Sequence, residues 1–266
     1  MGIFYKKLGY ILLFVTTAVV SGCKKEKQET VKESITIPKA VQNQNVDTVK
    51  TPVDTSTKVI VVLGSSTAAG FGTSKPDSSW VNRLQNRFLT DNKKFKVVNL
   101  AYGGFTTYQV MPTTFITPSG KPQVITDRNI TEALRYHPSM ILINLPTNDI
   151  ASNYSDEEII NNFKTITAII DAQKIDYILT GTQPRNFSGS DQRFRLKTLD
   201  DKLASTFKGH VNSYLSQLSS PTYSILDMYS AGDGIHLNDR GHRLIYESFI
   251  KHFQQHNIFD FKIIKL

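Results

Sequence analysis

The stretch Val59-Ile60-Val61-Val62-Leu63-Gly64-Ser65-Ser66-Thr67-Ala68-Ala69-Gly70 decides how this chain is read. Its first five residues are apolar and mostly β-branched, with no polar alternation, which is the pattern of a strand buried on both faces. Gly64 and two serines then break the run, and small residues follow. A strand that turns at once into a helix lifts a hydroxyl to the top of a sheet, where the first amides of the helix lack partners within it. Two rival motifs do not fit. A phosphate-binding loop requires Lys-Ser/Thr after its last glycine, whereas Gly70 is followed by Phe71-Gly72. The Gly-x-Ser-x-Gly nucleophile elbow requires a glycine where Ala68 stands.

Working outward, apolar runs at 96–100, 140–145, 177–180 and 223–227 predict further buried strands, giving a five-stranded parallel sheet. Helical patterns lie between them. Residues 79–88 space Trp80, Leu84 and Phe88 four apart, with Asp77 or Ser78 as the N-cap and the aromatic stripe as core. Residues 155–173 open with a capping box formed by Ser155 and Glu158, and 191–207 and 240–255 complete the set. Strands alternating with helices imply an α/β three-layer fold whose site lies in loops at the carboxyl ends of the strands. There is no internal repeat and no second domain within 58–266. Residues 102–129, rich in Thr, Pro and Gly, form a longer connection than most and are expected to make a substrate-facing wall.

Three more segments carry chemistry. In Asn99-Leu100-Ala101-Tyr102-Gly103-Gly104 a glycine lets the backbone approach a substrate and donate an N–H. Pro146-Thr147-Asn148-Asp149 offers a side-chain amide, although Asn-Asp after a strand is also a common turn. Asp233-Gly234-Ile235-His236 sets a carboxylate three residues before an imidazole, so one loop presents both.

In this order and placement, Ser66, Gly104, Asn148 and His236 resemble the SGNH (GDSL-type) hydrolase family, named for a Ser, a Gly, an Asn and a His in separate blocks. The resemblance covers roughly residues 58–256. It implies a flavodoxin-like α/β/α sandwich and ester hydrolysis through an acyl-enzyme, with Ser66 as nucleophile, His236 as proton shuttle and Asp233 orienting the imidazole. The oxyanion would be held by the Ser66 N–H, the Gly104 N–H and the Asn148 side chain, and no cofactor is needed. The chain departs from the family pattern at Ser65 in place of Asp, Thr67 in place of Leu, and Pro146 in place of Gly. Gly103 as the donor in place of Gly104 stays open. Arg185, in Thr182-Gln183-Pro184-Arg185-Asn186 after the fourth strand, could hold an anionic or polar substrate group or pair with a carboxylate. His242 reads as structural, and His137, His210, His252 and His256 as surface or packing residues. No metal site is expected, because Asp233 with His236 is better used by the triad.

The resemblance spans acetyl-carbohydrate esterases, lysophospholipases and acyl thioesterases. The polar Thr106, Thr107 and Tyr108 tilt the expectation toward short acetyl esters on carbohydrates. The alternatives are a lysophospholipase or thioesterase, an acyltransferase with the same triad, or a non-catalytic envelope-binding lipoprotein on the same scaffold.

At the N-terminus, Lys6-Lys7, an apolar run over 8–20 and the small residues Ser21-Gly22 make a secretory signal peptide over 1–22. Val20-Ser21-Gly22-Cys23 resembles the bacterial lipobox, which implies lipid on Cys23, the only cysteine, and an exported lipoprotein anchored in the cell envelope. Residues 24–57 are polar, mixed in charge and aperiodic, as in a flexible tether. Once the leader and tether are set aside, the net charge of +8 leaves about +5 on the domain, spread without a dense basic run, which disfavours nucleic acid as a partner. The expected partners are an acylated small molecule or glycan and, through the lipid, a membrane; the domain itself is expected to be a monomer.

Overall fold

The computed structural model describes residues 57–91 and 94–260; the signal peptide expected over 1–22, Cys23 and the expected tether up to residue 56 lie outside the described residues. Five strands form one all-parallel sheet: β1 (Lys58–Gly64), β2 (Phe95–Asn99), β3 (Met140–Asn144), β4 (Asp176–Thr180) and β5 (Val211–Asn212), in the order β2-β1-β3-β4-β5. The uninterrupted apolar runs have a simple cause. Val61, Leu63, Ile141, Ile143 and Leu179 point into one core, and the alternate residues Ile60, Val62, Met140, Leu142 and Ile178 point into the other. Burying a side chain of this kind stabilises by roughly 1.5–3 kcal/mol, and the buried polar residues Asn144 and Thr180 stand only at the carboxyl ends of β3 and β4.

Helices cover both faces. One core receives α3 (Ile130–Arg135), α5 (Asp156–Ala172) and α6 (Ser190–Thr206), through residues such as Ile130, Phe163, Ile166, Leu199 and Leu203. The other receives α2 (Trp80–Thr90) and α8 (Asp239–Gln255), where Trp80 stacks on Phe249 with ring centroids 4.8 Å apart. Short helices α1 (Ser66–Ala69), α4 (Thr147–Ala151) and α7 (Leu215–Leu218) lie within the connections. The capping box at Ser155 forms as expected, its hydroxyl accepting from the Glu158 N–H at 3.1 Å. The cap of α2 is different from the expectation. Asp77 and Ser78 are taken up in a 3-10 turn (Pro76–Ser78), and Ser79 is the residue whose side chain accepts from the Asn82 N–H, at 3.2 Å.

The expected strand at 223–227 is not a strand. Tyr223 sits at φ +60°, and the segment makes a single antiparallel bridge, Ser219 with Ile225, before a 3-10 turn at Asp227–Tyr229. Its apolar character serves packing, because Ile225 is buried in the α2/α8 core. The fifth strand is the two-residue β5, which registers Val211 against Leu179 and Asn212 against Thr180.

This strand order fixes where a site can form. From β1 the chain crosses to β2 on one side and then returns to β3 on the other. A crevice therefore opens at the carboxyl ends of β1 and β3, the usual position for ligands in doubly wound sheets. Ser66 follows β1, and Asn148 follows β3.

Candidate active site

At that crevice lies an open cavity of about 490 Å³, lined by Ser66, Phe71, Tyr102, Gly103, Gly104, Asn148, Arg185, Ile235 and His236. The chain therefore brings to one place a residue from each of its four motif segments, together with Arg185. Ser66 is the first residue of α1, is 8% exposed and lines the cavity. Among the described residues its backbone N–H and those of Gly103 and Gly104 have no hydrogen-bond acceptor. Ser65 faces elsewhere, onto a void of about 10 Å³ lined by Asn144, Leu145 and Tyr214.

Gly104 has φ +82°, a left-handed conformation that side chains rarely adopt, while a Cβ placed there would meet open space. Gly103 is constrained by crowding, since a Cβ would come within 2.5 Å of the Phe71 ring. The two glycines are thus required for different reasons, and both line the cavity. Asn99 secures this segment by donating to the Ala68 carbonyl at 2.8 Å and accepting from the Ala101 N–H at 3.1 Å.

The fourth segment does not follow a strand. It sits between the Asp227–Tyr229 turn and α8, and a bridge between Ser230 and Leu237 closes it into a loop. Asp233 accepts from His236 Nδ1 at 2.6 Å, and its other oxygen accepts from the backbone N–H groups of Ile235 and His236, each at 2.8 Å. Burial pushes this carboxyl up, but the bonds from the His236 backbone, the imidazole and the Ile235 backbone outweigh it and hold Asp233 down at about 2. With Nδ1 donating to the carboxylate, Nε2 of the neutral ring is left without a proton and is able to accept one. Phe71 packs beside the His236 ring, with centroids 5.7 Å apart. Phe71 is itself fixed by buried His242, whose Nδ1 accepts from the Trp80 N–H at 3.3 Å, so that Nε2 donates to the Phe71 carbonyl at 3.0 Å. Burial lowers His242 to about 4, which keeps it neutral and structural, as expected.

Asn148 lies in α4, just after a cis Leu145–Pro146 bond. Its Nδ2 donates to the Phe105 carbonyl at 3.1 Å, and its Oδ1 accepts from Arg185 Nη1 at 3.1 Å. Among the described residues Arg185 makes no ion pair, so of the two roles open to it in sequence, pairing with a carboxylate is not the one observed.

The supporting roles of two residues escape motif reading. Gln183, in the loop after β4, accepts from the Thr67 hydroxyl at 2.7 Å, donates through its backbone to Thr147 at 3.0 Å, and reaches the Ile235 carbonyl at 3.4 Å. One buried residue thus ties three of the four segments together, two through its side chain and one through its backbone. The second is Asp149, fully buried, which accepts from the Thr107 hydroxyl at 2.6 Å and the Thr107 N–H at 3.0 Å. The expected substrate-facing wall is corrected accordingly. Thr106, Thr107 and Tyr108 are buried and bonded inward, to Gln109, Asp149 and Glu158 respectively, and only Tyr102, Gly103 and Gly104 of that segment line the cavity.

Burial pushes Asp149 up to about 7, against the lowering effect of its bonds from Thr107. An unfolded Asp titrates near 3.9, so between about 4 and 7 the folded chain binds the extra proton and stability falls as pH rises through that window. Asp149→Asn mimics the protonated acid. Its melting temperature is expected to lose part of the decline that wild type shows between pH 5 and pH 8, measured by calorimetry. Parallel profiles for the two proteins would contradict this.

The model of the GDSL-like Lipase/Acylhydrolase family matches residues 62–244. No curated protein sequence matches the chain. Solved structures do. A psychrotrophic esterase from Pseudoalteromonas sp. is 17% identical over 75% of this chain and 98% of its own, with a TM-score of 0.57. An acetyl xylan esterase is 12% identical over 73% and 98%, with a TM-score of 0.52. A GDSL-like lipase from Bacteroides thetaiotaomicron is 18% identical over 75% and 89%, with a TM-score of 0.54. At these identities the likeness is one of fold.

Proposed function

Because this chain belongs to the GDSL-like lipase/acylhydrolase family and is a hydrolytic enzyme of the esterase type, we propose that it cleaves carboxylic esters through an acyl-enzyme on Ser66, with short acetyl esters of carbohydrates as substrates. The observation that carries the reading is the convergence of Ser66, Gly104, Asn148 and His236 on one cavity, with Asp233 on the far nitrogen of the imidazole at 2.6 Å. Ser66 Oγ attacks the ester carbonyl while His236 Nε2 takes its proton. The oxygen that becomes negative is met by the N–H groups of Ser66 and Gly104 and by Asn148 Nδ2, donors already in place before the charge develops. Collapse expels the alcohol, which receives the proton from His236. Water then attacks the acyl-enzyme by the same route in reverse, freeing Ser66.

The carbohydrate preference rests on the rim. Phe71 and Tyr102 are 51% and 56% exposed beside the cavity, an unusual outlay of aromatic surface that suits stacking on sugar rings. The envelope anchor through Cys23 belongs to the same proposal and rests on Val20-Ser21-Gly22-Cys23 alone.

The test is a series of p-nitrophenyl esters from acetate upward alongside acetylated oligosaccharides. Acetate should give the highest kcat/KM. Phe71→Ala and Tyr102→Ala should each raise KM for the oligosaccharide by roughly fivefold, given about 1 kcal/mol per stacked ring, with p-nitrophenyl acetate little affected by Tyr102→Ala. Faster cleavage of long acyl esters would turn the reading to a lysophospholipase or thioesterase. Transfer to sugar acceptors outpacing hydrolysis would make it an acyltransferase. No turnover on any ester would leave the envelope-binding lipoprotein.

A further inference from the structure

We propose that Arg185 is a positioning residue for the oxyanion site: its guanidinium fixes the sense of the Asn148 amide and strengthens it as a donor. This deepens the esterase reading and rests on it. An Asn amide offers one acceptor oxygen and two N–H donors, and its two ends are nearly the same shape. In this site its neighbours decide the sense. A guanidinium can only donate, and Arg185 Nη1 lies 3.1 Å from Oδ1. A carbonyl can only accept, and Phe105 O lies 3.1 Å from Nδ2. Turning the amide over would set donor against donor and acceptor against acceptor. Held this way, Nδ2 keeps a second N–H, and Asn148 lines the cavity beside Ser66 and Gly104.

The second contribution is electrical. Arg185 is itself at the cavity wall, its guanidinium 5.2 Å from the Phe187 ring centroid. Among the described residues it makes no ion pair, and the only hydrogen bond of its guanidinium goes to Asn148. Its charge is therefore not cancelled by a contacting carboxylate. A cation on the amide oxygen draws density from the nitrogen and makes the remaining N–H a better donor to a negative oxygen. The competing role, capture of an anionic group on the substrate, would act on binding and would not pass through Asn148.

A double-mutant cycle separates these roles, run on p-nitrophenyl acetate, which carries no anionic group, and on labelling of Ser66 by a fluorophosphonate. Wild type and Ser66→Ala come first. Absence of turnover and of labelling in wild type overturns the esterase reading and this proposal together. Given an active wild type, Arg185→Ala should lower kcat by about tenfold with KM within about twofold, a smaller loss than the roughly 10²–10³ for removing an oxyanion donor outright. In an Asn148→Ala background the same substitution should change kcat by less than about twofold, because the group it acts through is gone. Arg185→Gln serves as the second variant should the alanine form fold poorly. An equal loss in both backgrounds, or an effect confined to KM for anionic esters, overturns the proposal while leaving the esterase reading standing.

Discussion

Ser66→Ala is expected to reduce kcat by roughly 10⁵–10⁶, the scale seen when the nucleophile of a serine triad is removed, with only the slow background from substrate binding and the oxyanion donors left. The argument is positional. Ser66 stands at the wall of the cavity that also holds the His236 imidazole, and it is nearly buried, so few alternative groups can take its place. Ser65→Ala is the informative companion. Its side chain lies against a void too small for substrate, on the Asn144 and Tyr214 side, and its loss is expected to change kcat by no more than about threefold. Hydrolysis of p-nitrophenyl acetate and mass spectrometry of phosphonate-labelled protein check both. Full activity in Ser66→Ala, or inactivation by Ser65→Ala with the fold intact, sinks the assignment.

Asp233→Asn carries the second large effect, about 10⁴ in kcat. The carboxylate accepts from Nδ1 at 2.6 Å and from two backbone N–H groups of its own loop. An asparagine can keep the backbone bonds through its oxygen, so the loop is retained. Its amide then presents N–H to Nδ1, which forces the ring proton onto Nε2 and leaves nothing there to accept the proton of Ser66. The expected signature is a low kcat with near-normal KM and an unchanged melting temperature. Because Asp233 is held down at about 2, it stays ionised through every practical assay pH, and its share of stability is lost only as pH falls toward that value. An acid limb of activity at higher pH therefore belongs to another group. A variant that keeps more than a tenth of wild-type kcat would contradict the role given to Asp233.

The strands that were legible in sequence are those buried on both faces, such as β1 and β3, where burial leaves a continuous apolar signature. β5 left none, since two residues held by the neighbouring strand carry no periodicity, and the apolar run at 223–227 imitated a strand because Ile225 is buried in one core and Tyr223 packs against the other. The site divided in the same manner. Ser66, Asn148, Asp233 and His236 stand in short local patterns that a reader can find. Gln183 and the Thr107–Asp149 pair act across 116, 36 and 42 residues of chain, and nothing in their neighbourhoods announces such partners. The polar residues at 106–108 misled for a related reason. Thr and Tyr read as solvent-facing until a buried carboxylate such as Asp149 is known to be waiting for them.

The segment from Tyr102 to Asn129 is fastened along its length. Thr107 is bonded to Asp149 and Tyr108 to Glu158, while the Lys121 ammonium pairs with Glu158 and lies 3.8 Å from the Tyr154 ring centroid. A stretch pinned this way does not behave as a hinged lid, whose opening so often limits turnover in enzymes that enclose their substrates. Entry and exit at this crevice are thus not gated by this stretch, and under the proposed mechanism no lid motion of residues 102–129 is expected to set kcat.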